Sequence, residues 1–514
     1  MASSTQDRAA PEPSRAASQV VGAALRGSWP VSIRHAPGGR FLRLTVRAFD
    51  KAGGVGGTWY WNRYPGALSD TESFVYRYSF DKDLLQEGNW SRSYLTQPEI
   101  LAYLEHVVER YDLGRDIRLD TGVEAAVFDE ARAVWEIRTD TGETFTARYL
   151  VTALGLLSKT NLPDIPGRDT FAGELVHTGA RPEDLDITGK RVGVIGTGST
   201  GTQFICAAAP VVEHLTVFQR SAQYSAPSGN RPVSASEIAE IKADYDRIRK
   251  DVRDSAVAFG CKESEVPAMS VSEEERRRVF QENWDIGGGF RFMFGTFCDI
   301  ATDPDANEAA ASFIRSKIAE ITPKGVRTAD GVEHELDVLV FATGFDAVDG
   351  NHTRMDLRGR GGRHITDHWR SGPTGYLGIS TAGFPSMFMI LGPNGPFTNL
   401  PPSIEVQVEW ISDLIKDAER SGTDTVEATR EAEAGWTATC KEIADMTLFP
   451  KAQSWIFGAS IPGKTPTVVF YLAGLKNYRA VLDDVTGDNY RGFRFSRRSE
   501  QAAGNGSEFI APAR

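Results

Sequence analysis

One stretch near the middle of the chain restricts the possible folds more than any other feature. An apolar run at residues 192–195 leads directly into a G-x-G-x-x-G turn formed by Gly196, Gly198 and Gly201. A helix-compatible segment follows, and a second apolar run occupies residues 215–218. This order of strand, glycine turn, helix and strand is the fingerprint of a dinucleotide-binding βαβ unit. Its glycines form the tight turn, let the backbone approach a pyrophosphate and allow the helix to pack on the strand.

The residues after the second strand indicate which cofactor the unit takes. A unit that binds NAD usually has an acidic side chain there, whereas this chain has Gln219, Arg220 and Ser221. An arginine at this point can form charge-assisted hydrogen bonds with a 2′-phosphate, so the sequence predicts NADPH. The candidate NADP residues are Thr197, Gly198, Ser199, Thr200, Gly201, Arg220 and Ser221.

A second nucleotide unit begins near the N-terminus but lacks its glycine turn. Residues 20–23 and 44–50 have the pattern of its two strands, and Asp50 is placed to accept a hydrogen bond from an adenosine ribose. Between them Pro30 and Pro37 would interrupt the expected helix. Because residues 13–49 contain six arginines and no acidic residue, we favour a slip of the coding frame over a divergent natural loop. Resequencing the source DNA decides between these alternatives.

Length and composition exclude several classes of protein. A chain of 514 residues predicts two or more domains, and its net charge of −12 argues against nucleic-acid binding. No apolar run reaches the roughly 20 residues that span a bilayer, and the polar N-terminal stretch differs from a secretory signal. The cysteines have neither disulfide-framework nor CxxC spacing, so we expect free, buried thiols, a cytoplasmic location and no metal site. They are Cys206, Cys261, Cys298 and Cys440.

The segment after Asp50 carries the most specific motif of the chain. Gly56 and Gly57 are followed by Trp59, by Y-P-G at residues 64–66, and by Asp70. In this GGxWxxxxYPGxxxD pattern the chain resembles the Baeyer–Villiger monooxygenases, flavoenzymes that convert ketones to esters or lactones with FAD, NADPH and oxygen. We expect the glycines to let the backbone approach the flavin diphosphate region and the aromatic residues to wall the flavin ring.

Further stretches extend the resemblance over nearly the whole chain. The family pattern FxGxxxHxxxWP starts at Phe171 and includes His177, but Arg181 replaces its aromatic residue. That departure concerns the packing or signalling role of the linker between domains. Residues 391–405 and 454–458 are similar to the cyclohexanone monooxygenase branch of the family.

The resemblance implies an α/β fold with two Rossmann-like dinucleotide-binding domains, one for FAD and one for NADPH, and a helical insertion. Residues 1–145 and 350–514 would form a discontinuous FAD-binding domain. Residues 155–222 and 321–345 would form the NADP-binding domain, and residues 223–320 the helical insertion. Strands at 150–155 and 339–344 would be the two crossings between the domains.

The resemblance also implies a site that takes FAD, NADPH, a ketone and molecular oxygen, with no protein partner. Asp70 matches the aspartate that orients a catalytic arginine in the family, and Trp455 matches a tryptophan that closes over NADP from a mobile loop. The implied FAD residues are Gly22, Asp50, Gly56, Gly57, Thr58, Trp59, Asp70, Tyr76, Val123 and Leu400. The implied ketone pocket consists of Leu391, Phe397, Thr398, Leu400 and Phe470.

The largest departure from the family follows Ile321. There the family continues through a segment that carries a Lys-Arg pair, whose arginine is catalytic, whereas here Thr322 already resembles the far side of that segment. The missing length is on the order of fifty residues, more than a βαβ unit. Arg315, Lys317 and Lys324 are nearby but outside the matching motif. We therefore assign no catalytic arginine and expect this chain to be impaired.

Two other functions remain as alternatives. One is an inactive remnant that binds at most NADP(H). The other is a related flavin enzyme, either an N-hydroxylating monooxygenase, against which the Trp59 signature argues, or a disulfide reductase, against which the lack of a CxxC motif argues. A yellow colour of the purified protein separates a flavoprotein from a remnant.

Overall fold

The computed structural model describes residues 19–23, 44–156, 159–160, 162, 168–180, 185–219, 225–315, 338–341, 345–346, 349–451 and 467–497. Its strands are β1 Gln19–Ala23, β2 Thr45–Phe49, β3 Ile117–Arg118, β4 Val123–Asp129, β5 Val134–Thr139, β6 Thr144–Ala147, β7 Tyr149–Thr152, β8 Lys159–Thr160, β9 Glu174–His177, β10 Arg191–Ile195, β11 His214–Phe218, β12 Val338–Phe341, β13 Phe345–Asp346, β14 Asp356–Arg358, β15 Met387–Met389, β16 Gly395–Pro396, β17 Thr425–Ala428, β18 Phe470–Tyr471 and β19 Phe493–Ser496. Its α-helices are α1 Thr58–Trp61, α2 Lys82–Glu87, α3 Gln97–Arg110, α4 Ser199–Ala208, α5 Ala235–Ala243, α6 Tyr245–Asp254, α7 Glu273–Ile286, α8 Gly289–Gly295, α9 Pro304–Arg315, α10 Ile365–His368, α11 Leu400–Ser421, α12 Arg430–Asp445 and α13 Leu475–Gly487.

The first nucleotide sheet has five parallel strands in the order β15-β7-β1-β2-β3. Strand β7 is buried at all four positions because parallel strands are covered on both faces. This is the strand order of a dinucleotide-binding half, with β3 outside β2 and the crossing strand β7 on the other side of β1. Both strands that the sequence predicts around the damaged glycine turn are therefore present as β1 and β2.

The second nucleotide sheet has four strands in the order β11-β10-β12-β9, and it contains the predicted strand–turn–helix–strand unit. Within the described ranges, no strand lies outside β11 in the position that β3 takes in the first sheet. A strand in that position would fall between β11 and β12 in chain order. The segment that the chain lacks after Ile321 belongs to this same interval.

Helices α5 to α9 lie between β11 and β12 in chain order, in the range where the sequence predicts a helical insertion. Ser272 caps α7 by accepting a hydrogen bond from the Glu275 amide. Three glutamates lie in the first turn, where their negative charges stabilise the helix by interacting with the positive end of its dipole. The insertion has its own core of stacked aromatic residues, in which Phe280 contacts Phe292 and Phe313. These helices therefore have a hydrophobic core of their own, which holds their outward-facing side chains in place.

The C-terminal part of the chain covers the first sheet. Helix α11 buries thirteen of its 22 residues, and seven of these belong to the largest described hydrophobic core cluster, together with residues of α12 and α13. A smaller sheet of order β14-β4-β5-β6 packs on the other side around Trp135. This packing fixes the segment before α11, which carries most of the predicted ketone-pocket residues.

The cysteines are free within the structure, but the expectation of buried thiols is wrong for two of them. Cys440 is buried, whereas Cys206 and Cys298 are exposed and Cys261 is intermediate. Helix α4 buries Phe204 and Ala208, so a residue between them points away from the sheet. Among the helices in the described ranges, none combines the length and apolar character that a bilayer crossing requires.

A buried carboxylate ties α12 to the loops around the first sheet. Glu433 is 4% exposed and accepts hydrogen bonds from the Thr381 hydroxyl at 3.0 Å and the Ala382 amide at 2.8 Å. His368 Nε2 lies 2.9 Å from the same carboxylate, and the Thr374 hydroxyl also donates to it. Burial alone would raise the pKa of Glu433, but these hydrogen bonds outweigh it and the pKa is lowered.

We expect the substitution Glu433→Gln to lower the free energy of unfolding by about 2–3 kcal/mol, because an amide cannot accept from all these donors. Urea denaturation near pH 7 measures this, with the exposed Glu431→Gln on the same helix as the control. Since the folded-state pKa is lowered, this stabilisation is present above the unfolded pKa of about 4.3 and is lost as the pH falls through the folded value. Equal stability of the two variants at neutral pH would contradict the prediction.

Candidate nucleotide-binding and active site

A small cavity lies at the carboxyl end of β2, where the sequence predicts that the adenosine of a dinucleotide binds. Asp50 follows β2, is 2% exposed and accepts a hydrogen bond from the Ala52 amide at 3.0 Å. The cavity has a volume of about 160 Å³, and Val123 lines it together with Asp50. Sequence reasoning missed Asn351 and Arg354, which reach the same cavity from the loop before β14. This is the edge of a parallel sheet at which nucleotides bind.

The GGxWxxxxYPGxxxD motif at residues 56–70, called the flavin signature below, begins with a tight turn that is followed by the short helix α1. Gly56 has φ of +112°, and a Cβ there would lie 2.5 Å from Leu101, so a larger residue would clash. Gly57, with φ of +53°, precedes Thr58 at the start of α1. Trp59 donates from its indole nitrogen to the Tyr76 hydroxyl at 2.9 Å, and the two rings meet edge to face.

The end of the signature contacts the second nucleotide unit directly. Asp70 accepts hydrogen bonds from Ser199 and, at 3.0 Å, from Gln203 Nε2, both on α4. Gln203 Oε1 also accepts from the Tyr64 hydroxyl at 2.8 Å. A Cβ at Gly66 would lie 2.4 Å from the Gln203 carbonyl oxygen, which explains the glycine of the Y-P-G motif. The flavin signature and the NADP helix are thus joined at Asp70.

The surroundings of Asp70 favour protonated side chains. Asp70 is exposed to the cleft, yet the dense protein around it desolvates the carboxylate and raises its pKa, while the bonds from Ser199 and Gln203 oppose this effect. Burial raises the pKa of Tyr64 to about 12, so its hydroxyl stays neutral and donates. A nearby cation would oppose this upward shift of the Asp70 pKa.

The second glycine turn is open towards a ligand. Gly196 has φ of +105°, and Gly198 caps α4 without any side-chain hydrogen bond to the first-turn amides. A Cβ at Gly198 would meet no atom within 4 Å, so protein packing does not require this glycine. The space and the exposed amides suit the pyrophosphate of a dinucleotide. The other predicted residues of this turn are Thr197, Ser199, Thr200 and the buried Gly201.

The five predicted ketone-pocket residues lie in one region in front of α11. The Phe397 and Phe470 rings are 5.1 Å apart, and Leu391 and Phe470 belong to the main core. Phe397, Thr398 and Leu400 are half-buried. Leu391 has φ of +56°, which is uncommon for a bulky residue and is held by a hydrogen bond from its amide.

Three aromatic residues between β11 and β12 stack on one another, and the sequence analysis did not predict them as site residues. Phe259 stacks on Phe290 with ring centroids 3.9 Å apart, and Phe294 continues the stack. Asn399, in the middle of the predicted pocket segment, donates to the Ala258 carbonyl at 2.9 Å and so brings Phe259 to the pocket. The spacing of four residues between Phe290 and Phe294 was the only local signal for them.

Several predicted residues cannot be placed in the site. Arg220, Ser221 and Trp455 lie outside the described residues, as does the segment that replaces the first glycine turn. Gly22 is described only through its pairing with Ala48 in the first sheet. His177 ends β9 and is buried, and its ring accepts a hydrogen bond from the Gly179 amide.

Two nucleotide-binding sheets that meet at one carboxylate define the class as an oxidoreductase that uses two dinucleotides. The chain is 53% identical to a Baeyer–Villiger monooxygenase of Pseudooceanicola batsensis, over 94% of this chain and 96% of that protein. It is 51% identical to a cyclohexanone 1,2-monooxygenase of an Acinetobacter species, over 88% and 92%. The chain therefore belongs to the Baeyer–Villiger monooxygenase family. A phenazine N-monooxygenase of Lysobacter antibioticus is 55% identical over the same shares.

Solved structures confirm the predicted fold class. A closed crystal structure of cyclohexanone monooxygenase superposes with a TM-score of 0.89 at 58% identity, covering 93% of this chain and 99% of that one. The enzyme of Rhodococcus sp. Phi1 bound to NADP+ gives the same values. Residues 81–281 also match the family described as pyridine nucleotide-disulphide oxidoreductase. That match reflects the shared nucleotide-binding architecture, since the chain has no CxxC motif.

The relatives also bear on the missing segment. The alignment with the Acinetobacter enzyme spans 500 positions but uses 88% of the 514 residues, or about 450, so about fifty aligned positions have no residue in this chain. This number agrees with the length that the sequence lacks after Ile321. The alignment with the Pseudooceanicola enzyme has the same excess, since 531 positions use 94% of the chain.

Proposed function

We propose that this protein is a monooxygenase that uses FAD and NADPH to oxygenate cyclic ketones, and that the chain as written is impaired. The contact of Asp70 with Ser199 and Gln203 carries the proposal, because it brings the flavin signature and the NADP helix together. The apolar side chains of Leu391, Phe397 and Phe470 in front of α11 support a ketone as the substrate. The names of the relatives, which include cyclohexanone and acetone monooxygenases, support the same substrate class.

The described residues fit both cofactors. Asp50 and Val123 would hold the adenosine of FAD, and the turn at Gly56 would let the backbone approach its diphosphate. Trp59 and Tyr76 would wall the flavin ring, and the amides that follow Gly198 would bind the NADP pyrophosphate. Bound FAD and NADPH supply the redox chemistry that activates oxygen.

The remaining residues would shape the reaction rather than supply its electrons. Leu391, Phe397 and Phe470 would exclude water from the ketone, and the Phe259 stack would add an aromatic wall from the insertion. Asp70 would orient a cation, and Trp455 would close over NADP. Gly22, Gly57, Thr58 and Leu400 would contact FAD, and Thr398 would lie beside the ketone.

We also propose the domain boundaries that the resemblance implies, with an FAD domain from 1–145 and 350–514 around a NADP domain and the helical insertion. The free cysteines are consistent with a reducing compartment, so we propose that the protein is cytoplasmic.

The experiment that tests the function restores what the chain lacks. A variant that carries the family's glycine turn and the segment after Ile321 should convert cyclohexanone to its lactone with NADPH. The matched control carries the same restorations and the substitution Asp70→Ala. Failure of the fully restored variant to form lactone, although it binds both cofactors, would contradict the proposed activity.

A second activity, oxygen transfer to an aromatic ring nitrogen, is favoured by the phenazine N-monooxygenase among the relatives. The stacked Phe259 and Phe290 rings offer a flat aromatic surface that such a substrate could contact. Presenting the restored variant with cyclohexanone and phenazine in competition separates the two activities, because the products differ in which substrate gains the oxygen.

We expect Arg220→Ala to lower the preference for NADPH over NADH by about ten- to a hundredfold, because a charge-assisted hydrogen bond to the 2′-phosphate is lost. Titration of both nucleotides measures the ratio of dissociation constants. Lys190→Ala is the control, since it removes a positive charge from the opposite end of the same sheet, where Lys190 pairs with Glu174. Equal affinity of the unmutated protein for both nucleotides would show that Arg220 does not select the cofactor.

A further inference from the structure

An arginine of the helical insertion holds an irregular segment of the FAD-binding part of the molecule. Arg249, on α6, donates from one terminal nitrogen to the Val75 carbonyl at 3.1 Å. Its other terminal nitrogen donates to the carbonyls of Phe74, at 3.2 Å, and Arg77, at 3.0 Å. These carbonyls lie outside the helices and sheets, so one guanidinium group satisfies three acceptors of the same short segment.

The same segment is held from the opposite side by α11. Glu405 is 5% exposed and accepts hydrogen bonds from both the amide and the hydroxyl of Ser79, each at 2.5 Å. Burial raises the pKa of this carboxyl, while the charge of Arg249 and the bonds from Ser79 oppose the shift. Residues 74–79 are therefore fixed between the insertion and the helix that follows the ketone pocket.

The held segment carries Tyr76, and Tyr76 sets the position of Trp59. Burial raises the pKa of Tyr76 to about 12, so the hydroxyl remains neutral and accepts the hydrogen bond from the indole nitrogen. The ring centroids are 5.8 Å apart at an angle of 88°. Gln97 holds the backbone of Trp59 through its carbonyl oxygen. The indole ring is thus hydrogen-bonded to Tyr76, and Arg249 holds the backbone carbonyls of the residues on either side of Tyr76.

We propose that Arg249 is a positioning residue that transmits the placement of the helical insertion to Trp59 through residues 74–77 and Tyr76. The proposal rests on the proposed function only in placing Trp59 beside the flavin. A lysine at position 249 would keep the charge opposite Glu405 but could not reach three carbonyls with a planar fork. The orientation of Trp59 should therefore depend on the geometry of the Arg249 hydrogen bonds more than on the charge of the side chain.

The test uses the full chain labelled with 5-fluorotryptophan and needs no bound cofactor. The Trp59 resonance is assigned with Trp59→Phe, and the effects of Arg249→Lys and Tyr76→Phe on it are compared by fluorine NMR. We expect both substitutions to move the Trp59 resonance and the double variant to move it no further than Tyr76→Phe alone. Ser79→Ala, which removes one of the two hydrogen bonds between this segment and Glu405, should also move it.

Arg253→Lys is the matched control, since Arg253 lies one turn further along α6 and pairs with Glu409 instead. It should leave the Trp59 resonance in place. An unmoved Trp59 resonance in Arg249→Lys, or fully additive shifts in the double variant, overturns the proposal. Equal movement of the distant Trp135 and Trp436 resonances would show general loosening and would also overturn it.

A titration with FAD separates this inference from the proposed function. If Trp59 lies beside the flavin, Arg249→Lys and Tyr76→Phe should each weaken FAD binding by about fivefold, as expected for one lost hydrogen bond. If the Trp59 resonance moves as expected while FAD affinity stays unchanged in both variants, the coupling stands and the placement of Trp59 beside the flavin fails.

Discussion

Supplied with cyclohexanone, NADPH and excess FAD, the chain as written is expected to oxidise NADPH slowly and to release hydrogen peroxide instead of lactone. A negative charge that develops in a dry site needs a preorganised cation, and the sequence segment that carries the family's arginine is missing. The described partners of Asp70 are Ser199 and Gln203, both neutral. Loss of one such group costs about 10²–10³ in rate, and loss of its supporting segment should cost more.

The measurement is a joint assay of NADPH, lactone and hydrogen peroxide. Restoring the glycine turn alone, or the segment after Ile321 alone, should leave the two products uncoupled, and restoring both should couple them. Lactone that forms in step with NADPH in the unaltered chain would contradict the prediction. It would show that another cation, such as Arg181 or Lys324, serves the role.

A weak affinity for FAD is the second large effect we expect. The segment after β1 has Ala24 in place of the middle glycine of a G-x-G-x-x-G turn, which is the glycine that lets a backbone approach the diphosphate. Pro30 and Pro37 interrupt the helix whose N-terminus would face it. The adenosine cavity around Asp50 is retained, so the loss falls on the diphosphate and not on the nucleoside. Without several phosphate hydrogen bonds of about 1.5–3 kcal/mol each, FAD affinity should fall by orders of magnitude.

Gel filtration of protein mixed with FAD, followed by an absorbance spectrum, measures this. We expect the flavin to separate from the chain as written and to remain with a variant that carries the family's glycine turn and helix in place of residues 22–43. Asp50→Asn in the restored variant is the control for the adenosine end. One FAD per unaltered chain after filtration would show that the present loop binds the diphosphate.

Local patterns predicted the parts of the fold whose determinants are close in sequence. The strands at 192–195 and 215–218 were found to within one residue because apolar runs and glycines mark them directly. Gln203 escaped notice because its partners Tyr64 and Asp70 lie more than 130 positions away. Arg249 was missed for a similar reason, since its acceptors are backbone carbonyls, which carry no sequence signature.

The burial of the cysteines was mispredicted for a different reason. Residue type gave a general tendency, but the face of α4 decided the outcome for Cys206. In the FxGxxxHxxxWP pattern, His177 was singled out by its motif alone. In the structure its ring accepts a hydrogen bond from the Gly179 amide, which is a local structural contact. Position on an element therefore outweighs composition wherever a residue is judged singly.

The N-terminal half of helix α4 takes part in two sets of interactions. Its first amides face the space beside Gly198, and its Gln203 grips Tyr64 and Asp70 of the flavin signature. If a bound nucleotide shifts this helix, the hydrogen bonds of Gln203 with Tyr64 and Asp70 must change as well. Coupling between two binding sites is reciprocal. If NADP binding strengthens FAD binding by some free energy, FAD binding strengthens NADP binding by the same amount. The two cofactors can therefore communicate through one ten-residue helix.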